Sequence, residues 1–499
     1  MSPLRSKLFV YVPLVMVSLI NIFFIVYSVA QGRYILPFGL YGALGFGLWV
    51  WYYLRSFDFW EKAVLFFISG CIVALKGFVY LGIELGEYLI PIGEITIIIA
   101  LVRTFKSDNL SLFLQEKTSQ WMILWLVFGL VRMSFAINEI EYHTLKSTCM
   151  IYYVLFTYFA YLIAQRQETQ HRVMQLLGIS ILLLLVHLIF YSPAMVNLSL
   201  SPRVGQDLTL FGYFGSPYFN TTAGAFFFIL LGSYYFSWSP WLHHLFAIAL
   251  FSMTFLQQAR SGLLALLVCV FVASLFGRLH HVMKLLSGAL VMIVLFVLIF
   301  STGIHLRGTK GAFTWASFLV QIQSIVSGSQ DSFFLSEVGS DDIMLKNQMG
   351  TREGRIKIWQ GIISKTMSSP RSIFLGQGFR RPLLRIELDQ DRAPKRSPHN
   401  GFVLIFGYLG LVGLFLFVMF NVTFSIRIIK TLLTAQLREN DKICSVLLWL
   451  YLYYIALFTG AMFTPVFGTP YLMSVFCFII GLGLAMCRQI ELDSPGMRD

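Results

Sequence analysis

Apolar runs of roughly 17 to 23 residues recur along the chain, and this feature constrains its fold more than any other. A run of this length, coiled as an α-helix, crosses a hydrocarbon core about 30 Å thick. In such a core each backbone N–H and C=O must be bonded internally, which helices achieve within a single segment. Composition agrees, because 57% of the residues are hydrophobic and 12% are charged. The sequence therefore predicts a polytopic membrane protein.

The fold class that we predict is all-α, a transmembrane helical bundle of about fourteen spans. The predicted spans lie near residues 8–30, 34–54, 63–83, 88–102, 121–137, 147–164, 173–191, 220–237, 242–257, 261–277, 283–301, 401–422, 443–462 and 468–487. Six cysteines are scattered through the apolar segments, which indicates small core residues and no disulfide framework.

The distribution of Lys and Arg predicts the orientation of the bundle. With the N-terminus in the cytoplasm, the cationic clusters fall on the inner side: Arg5/Lys7, Arg55/Lys62, Arg103/Lys106/Lys117, Arg166/Arg172, Arg278/Lys284, Arg427/Lys430/Arg438/Lys442 and Arg488/Arg498. This asymmetry satisfies the positive-inside rule. We therefore expect both termini in the cytoplasm.

The same topology divides the chain into three parts. Residues 1–301 form an N-terminal transmembrane scaffold of about eleven spans, and residues 401–499 a C-terminal segment of about three. Residues 302–400 become one large external loop. Lys and Arg outnumber Asp and Glu in this loop, so an anionic ligand is expected on that side.

Within the loop, "GTREGRIKIWQGIISKTMSSP" predicts an amphipathic helix that stops at Pro370. At about 100° per residue, one stripe gathers apolar and cationic side chains, while Lys357 and Lys365 point the other way. The stripe consists of Arg352, Ile356, Trp359, Ile363 and Met367, with Arg355 at its edge. Two interpretations stay open: the arginines extend to lipid headgroups, or they bind a phosphate, for which a guanidinium fork is well suited.

Another arginine lies in "QQARSG", a turn that joins two predicted spans at the outer face. Arg260 would begin the second span, beside Ser261 and Gly262, where free backbone N–H groups and the helix dipole favour an anion. A lone arginine at a helix mouth is equally typical of an interfacial anchor.

The end of the loop holds two further motifs. In "FLGQGFRRPLL", Gly376 and Gly378 would allow a tight turn or a close backbone approach to a ligand. In "SPHNG", His399 is the histidine that we place on the outer side, next to arginines and at the entrance of a span. Its imidazole can take a proton from a sugar hydroxyl near neutral pH. The alternative is that His399 and Asn400 cap the helix.

Two further sets of charged residues could have a function: an acidic motif in the loop and three charged residues within predicted spans. The motif "ELDQD" resembles an Asp-x-Asp metal site, but its arginine-rich surroundings favour a solvated mixed-charge loop, so no metal is predicted. Lys76, Glu94 and Arg132 lie within predicted spans, where charge is costly unless it is paired or faces water. They could form a structural pair, line a substrate groove or, in a transporter, carry a coupling ion.

Three blocks occur in order: "QQARSG" opening a span, "GTREGRIKIWQ...SSPRSIFLGQGF" in a long external loop, and "SPHNGFVLIFGYLGLVG" returning to the membrane. Together, over roughly residues 205–425, they resemble the bacterial O-antigen ligase and polysaccharide polymerase superfamily. The resemblance implies an inner-membrane glycosyltransferase of GT-C-like architecture. Such enzymes move a glycan from undecaprenyl diphosphate to an acceptor hydroxyl at the periplasmic face, without a metal or another cofactor.

Carried over by position, the resemblance implies that Arg260, Arg352 and Arg355 hold the diphosphate and that His399 acts as general base or orients the acceptor. The supporting residues would be Ser261, Trp359, Gly376, Gly378 and Asn400. The absence of an obvious carboxylate nucleophile predicts an inverting displacement.

The extra "ELDQDRAPKR" insertion and about two more spans than a ligase would need favour a surface or exopolysaccharide polymerase. The alternatives are a ligase that transfers glycan to lipid A-core in lipopolysaccharide biosynthesis and, from another class, a lipid-linked glycan flippase or transporter. Expected partners are the undecaprenyl-diphosphate-linked glycan and membrane lipid. A chain-length regulator or a flippase could also bind, and no nucleic acid is expected.

Overall fold

The computed structural model describes residues 53–79, 81–85, 88–104, 109–136, 148–190, 217–256, 259–277, 306–308, 311–313, 343–380, 383 and 398–492, with isolated positions between 283 and 298. The predicted span 8–30, almost all of 34–54 and most of 283–301 lie outside the described residues, as does the "ELDQD" motif.

Helices make up nearly all of the described secondary structure. They are Phe59–Val73, Leu75–Val79, Ile92–Thr104, Asn109–Leu114, Lys117–Ser134, Leu155–Ile163, Gln167–Phe190, Tyr218–Leu230, Gly232–Tyr235, Pro240–Leu256, Arg260–Phe276, Ile343–Thr366, Pro370–Leu375, Gly401–Leu437, Asp441–Gly460 and Pro470–Leu492, with a 3₁₀ turn at Val466–Gly468. Below, Ile343–Thr366 is the loop helix, Gly401–Leu437 the kinked helix and Pro470–Leu492 the final helix.

Four of the described helices are long and apolar enough to cross a membrane. They are Gln167–Leu188, Gly401–Leu437, Asp441–Gly460 and Pro470–Leu492. Shorter apolar helices occur at Thr148–Ile163, Tyr218–Leu230, Pro240–Leu256 and Arg260–Phe276. The prediction of a helical membrane protein is therefore confirmed, while the count of fourteen spans and the periplasmic position of the loop stay predictions.

The structure corrects the predicted spans 63–83 and 88–102. The first helix stops at Val73, and Gly82–Leu85 pairs with Tyr88–Pro91 in an antiparallel hairpin before the helix Ile92–Thr104 begins. Short apolar runs do not distinguish strand from helix by periodicity. A second short hairpin joins Leu306–Gly308 to Gly311–Phe313.

The kinked helix contains a break that the sequence prediction missed. It has 37 residues, about 55 Å of helix, which is far longer than a membrane core. Gly410 adopts φ 67° and ψ −162°, outside the helical region. This residue divides the helix into a first part, residues 401–409, which we name the mouth segment, and a longer part that spans the bundle.

Close helix contacts and aromatic side chains form the core. The final helix packs against Leu155–Ile163 and Phe59–Val73, and the kinked helix packs against Lys117–Ser134. A Cβ at Gly481 would lie 2.1 Å from the Thr157 carbonyl oxygen, so this glycine permits direct backbone contact. All six cysteines are buried and free, as predicted. The largest fully buried side chains include Trp125, Trp449, Tyr153, Tyr161, Tyr453 and Tyr454.

One end of the bundle is joined by ion pairs, and we call it the paired end. Arg427 bonds Glu491 and lies 3.3 Å from Glu116, which also faces Arg488 at 3.7 Å. These contacts connect the kinked helix, the final helix and the residue before Lys117–Ser134. The mouth segment and the loop helix lie at the opposite end, which we call the open end.

Candidate functional site

Asn400 begins the kinked helix and serves as its N-cap. Its Oδ1 accepts hydrogen bonds from the backbone N–H groups of Phe402 at 2.9 Å and Val403 at 3.0 Å. The next residue, Gly401, donates its N–H to the Ala461 carbonyl at 2.6 Å. The capping interpretation is therefore confirmed for Asn400, whose side-chain oxygen is engaged by its own helix.

His399 lies just before the cap in a left-handed backbone conformation. Its φ of 51° is one of three positive values at described non-glycine residues. Such conformations are sparsely populated by non-glycine residues and tend to persist where the surrounding structure holds them. Asn400 supplies the cap, so the half-buried imidazole of His399 is not needed for it.

Trp359 connects the loop helix to this mouth. Its indole Nε1 donates a hydrogen bond to the Pro398 carbonyl at 2.5 Å. Further along the mouth segment, the Ile362 side chain packs against Gly407. A Cβ at Gly407 would lie 3.0 Å from the Ile362 side chain. The loop helix is therefore fixed beside His399 by one hydrogen bond and one close helix contact.

The buried face of the loop helix differs from the predicted stripe. Its protein-facing side consists of Arg355, Ile358, Trp359, Ile362 and Thr366, with i, i+3, i+4, i+7 and i+11 spacing. The predicted stripe residues Ile356 and Ile363 are each 37% exposed, and Met367 is 58% exposed. The predicted face was one residue too far along the helix, because the prediction used apolarity alone. In the structure, the contact with Gly407 buries Ile362 instead of Ile363.

Arg355 therefore lies on the protein-facing side and not at its edge. Burial lowers the pKa of the Arg355 guanidinium, and the nearby Tyr218 hydroxyl opposes this shift. Within the described part of the chain, this opposing group is a phenol and not a carboxylate. A partly desolvated cation in this setting would be stabilised by an anion. Arg352 precedes it on the same helix, and its side chain lies outside the described residues.

Tyr218 also contacts the helix Arg260–Phe276. A Cβ at Gly262 would lie 2.8 Å from the Tyr218 Cβ, so the ring packs on the first turn of this helix. The helix begins at Arg260, as predicted, and its N-cap, Ala259, supplies no side-chain hydrogen bond. Ser261 is half-buried in the same turn. Tyr218 thus contacts the first turn of this helix and also interacts with Arg355.

Phe219 connects this group to the mouth of the kinked helix. Its ring lies 4.3 Å from the Tyr218 ring, centroid to centroid, and a Cβ at Gly460 would lie 2.0 Å from it. Ala461, the next residue, accepts the hydrogen bond from Gly401. A continuous series of contacts therefore joins Arg355, the N-terminus at Arg260 and the mouth at His399.

Gly376 and Gly378 form the predicted tight turn, with φ of 70° and 74°. The N–H groups of Gln377 and Gly378 donate to the Gly407 and Tyr408 carbonyls at 2.7 and 3.0 Å. A Cβ at Gly376 would lie 2.4 Å from the Tyr408 backbone. The close approach is therefore to the mouth segment, and a role of these glycines towards a ligand stays a prediction.

The charged residues predicted within spans have different partners. Glu94 accepts hydrogen bonds from the hydroxyls of Tyr152 at 2.7 Å and Tyr153 at 3.4 Å. Arg132 extends from the last turn of Lys117–Ser134 and donates from Nη2 to the Gly376 carbonyl at 3.3 Å. The sequence singled out Arg132 as a costly charge but gave no signal of this contact with the loop. Tyr218 was missed, because one aromatic residue in an aromatic-rich segment carries no specific pattern.

Among the described residues, no group of three metal-ligating side chains occurs. The central and C-terminal parts of the chain, residues 245–418, match a family model described as O-antigen ligase. This segment includes Arg260, Arg352, Arg355 and His399, so the resemblance predicted from these motifs is confirmed. A comparison with curated proteins gives no significant match.

Proposed function

We propose that this chain, whose residues 245–418 match a family model described as O-antigen ligase, is a membrane glycosyltransferase that takes its glycan from undecaprenyl diphosphate. One observation carries the proposal. Arg355, partly desolvated and facing no carboxylate in the described part of the chain, is joined by packed residues to a histidine at the mouth of a membrane helix. Such a site suits an anionic leaving group beside a proton acceptor.

The diphosphate of the donor would be held by Arg355 and by the N-terminus of the helix that begins at Arg260. A helix N-terminus and guanidinium groups are both good anion ligands. Arg352, one turn before Arg355, would add a second guanidinium. The burial of Arg355 supports this assignment, because positive charge stabilises a departing diphosphate most in a site with little water.

In the proposed step, a hydroxyl of the acceptor sugar attacks the anomeric carbon of the donor glycan. A new C–O bond forms while the bond from that carbon to the diphosphate oxygen breaks, and its electron pair leaves with undecaprenyl diphosphate. His399 takes the proton of the hydroxyl, which would contribute about 10²- to 10⁴-fold in rate. A direct displacement of this kind inverts the anomeric configuration.

The arginines would supply the positive charge for which other transferases use a divalent metal, so we propose a metal-independent reaction. The distribution of Lys and Arg supports a site that faces the periplasm across a bacterial inner membrane. Membrane lipid surrounds the protein in this proposal, and a chain-length regulator or a flippase would act beside it.

The acceptor that we favour is a second lipid-linked unit, which makes the enzyme a polysaccharide polymerase. The long loop with its "ELDQDRAPKR" insertion supports this choice. A ligase acting on lipid A-core would use the same chemistry. The transporter alternative drew on a relay among Lys76, Glu94 and Arg132. Glu94 bonds tyrosines and Arg132 bonds a backbone carbonyl, so these contacts do not link the two residues into a relay.

The test is a transfer assay with purified protein, lipid-linked repeat units as the sole substrate and EDTA present. His399→Asn is the informative variant, because Asn tolerates the left-handed backbone but cannot act as a base. Lys357→Ala, an exposed cation two residues from Arg355, is the matched control. We expect a ladder of products from the wild type and Lys357→Ala, and none from His399→Asn.

Other outcomes would change the assignment. Product formed only after lipid A-core is added would make the enzyme a ligase. No product with either acceptor would favour the transporter, and a full ladder from His399→Asn would remove His399 from the mechanism.

A further inference from the structure

We infer that the open end carries a second anion site, formed by Arg132 and Arg371 beside the Gly376–Gly378 turn, which takes the diphosphate of a second lipid-linked glycan. In the polymerase reaction, this second lipid is the acceptor. The identity of the ligand rests on the proposed function, whereas the anion site itself rests on the geometry below.

Arg132 is held in place by the loop but is not neutralised by it. Its Nη2 donates to the Gly376 carbonyl at 3.3 Å and would lie 3.0 Å from a Cβ at Gly378. A guanidinium carries five N–H donors. The Nε of Arg132 is buried and has no hydrogen-bond partner among the described residues. The side chain is therefore fixed by one Nη2 hydrogen bond, and the other N–H groups of its two Nη atoms have no partner among the described residues.

Arg371 adds a second positive charge to this place. It lies on the exposed side of the short helix Pro370–Leu375, whose C-cap is Gly376, the residue whose carbonyl accepts the hydrogen bond from Arg132, so the two positive charges lie at the same turn and repel each other. No carboxylate of the described residues forms an ion pair with either arginine. Two like charges held together in this way are stabilised when an anion binds between them.

This pair is well separated from the donor site. Gln377, within the Gly376–Gly378 turn, donates its side-chain amide to the Lys365 carbonyl, and Lys365 is ten residues after Arg355. These ten residues correspond to about 15 Å along the loop helix. One diphosphate, with two phosphorus atoms that share an oxygen, is far shorter than this distance, so the pair would bind a separate anion.

The surroundings indicate that the anion belongs to a lipid. Val131 and Phe135, which flank Arg132 on its helix, are exposed, and so is Phe374 beside Arg371. In a membrane these side chains face acyl chains. A phosphate-bearing lipid therefore fits both parts of the site, with its head at the arginines and its chain along the apolar surface.

The reaction proposed above needs two lipid-linked substrates at once. Each carries a diphosphate on a polyprenyl chain, and the sugar of one must reach the anomeric carbon of the other. Two anion sites on the same side of the membrane, separated along the loop helix and joined by the mouth segment, would hold both lipids with their glycans side by side.

The test counts the lipids bound by the full chain. Wild type, Arg371→Gln, Arg132→Gln and the control Lys357→Ala are titrated with undecaprenyl diphosphate, and native mass spectrometry gives the number of bound molecules at each concentration. We expect two for the wild type and for Lys357→Ala, whereas each arginine variant should need about tenfold more lipid to bind its second molecule. Arg371 is exposed, so its variant keeps the test informative even when Arg132→Gln does not fold.

Three results would overturn the site: one lipid bound to the wild type at every concentration, a second lipid bound to Arg371→Gln at the same concentration as to the wild type, or displacement of the second lipid by excess phosphatidylglycerol, which would identify a general headgroup site. Transfer assays on the same preparations separate this inference from the proposed function. We expect Arg371→Gln to raise the acceptor concentration at half-maximal rate about tenfold, equivalent to about 1.4 kcal/mol, with kcat unchanged. No transfer by a wild type that binds two lipids would refute the proposed function and leave the anion site supported.

Discussion

The two ends of the helical bundle hold arginines in opposite electrostatic settings. At the paired end, Arg427 bonds Glu491 and Glu116, and Arg166 faces the buried Glu61 at 3.3 Å. At the open end, Arg355 and Arg132 have a phenol and a backbone carbonyl as their described neighbours. Arginines at the paired end are thus neutralised by carboxylates of the protein. At the open end, the described residues provide no carboxylate for Arg355 or Arg132.

On this difference we base the proposal that the arginines of the open end bind a ligand and those of the paired end are structural. Burying a cation is costly, and a carboxylate partner offsets the cost within the protein. When this partner is missing, the cost of burying the cation persists until an anion binds. A bound anionic substrate then makes the favourable contact that a carboxylate of the protein would make in a salt bridge. Sequence alone cannot make this distinction, because the partner of an arginine can lie far away along the chain, as Glu116 does from Arg427.

The largest effect is expected from Arg355→Ala, which removes the cation assigned to the donor diphosphate. The transfer rate should fall by about 10²- to 10³-fold, the usual cost of losing one donor that stabilises developing charge. Thermal unfolding should be nearly unchanged, because no carboxylate of the described residues is left unpaired. Lys357→Ala is the control, and an equal loss of rate in both variants would contradict the comparison.

Gly376→Ala tests the backbone contact between the Gly376–Gly378 turn and the mouth segment. At the open end this contact takes the place of the ion pairs of the paired end. A Cβ at Gly376 would lie 2.4 Å from backbone atoms of the mouth segment, and φ is 70°. The strain and overlap should lower the free energy of unfolding by about 3 kcal/mol. Gly288→Ala is the matched control, since nothing in the described part of the chain lies within 4 Å of its Cβ position. Equal melting temperatures for the two variants would show that the turn adapts freely.

Arg427→Ala tests whether the ion pairs of the paired end contribute to stability alone. The change leaves Glu116 and Glu491 without this partner, so the free energy of unfolding should fall by about 2 kcal/mol. The folded fraction should transfer glycan at the wild-type rate. Denaturation in detergent, together with a rate normalised to folded protein, measures both quantities. A loss of rate with unchanged stability would mean that the paired end takes part in the reaction.

Asn400→Ala should have the smallest effect. It removes the N-cap that binds the Phe402 and Val403 amides, which costs about 1 kcal/mol. Asn400→Ser should restore most of this stability, because a serine oxygen also caps. Thermal unfolding of both variants provides the measurement, and an unaltered melting temperature in Asn400→Ala would show that the cap is dispensable.

The sequence predicted those parts of the site that depend on local signals. Arg260 begins a helix where a turn meets an apolar run, and Asn400 caps the helix that follows "SPHNG". The capping interpretation and the helix start both depend on neighbours within four residues, which a sequence displays directly. Burial of the cysteines followed from their apolar surroundings.

Features that depend on distant contacts were mispredicted or missed. The loop helix buries Ile362 because Gly407 offers room, and no local pattern encodes that partner. Arg132 lies 244 residues from its carbonyl acceptor, and Tyr218 contacts groups in two other segments. The hairpin at residues 82–91 replaced predicted helix because short apolar runs carry no distinct period.

The most direct test of the comparison is the thermal shift that undecaprenyl diphosphate causes in purified wild type, Arg355→Ala and Lys430→Ala, an exposed cation towards the paired end. A ligand that binds the folded state raises the melting temperature according to its affinity. We expect a clear rise for the wild type and Lys430→Ala and a much smaller one for Arg355→Ala. Equal shifts in all three proteins would contradict the claim that the open end keeps its positive charge for an anionic lipid.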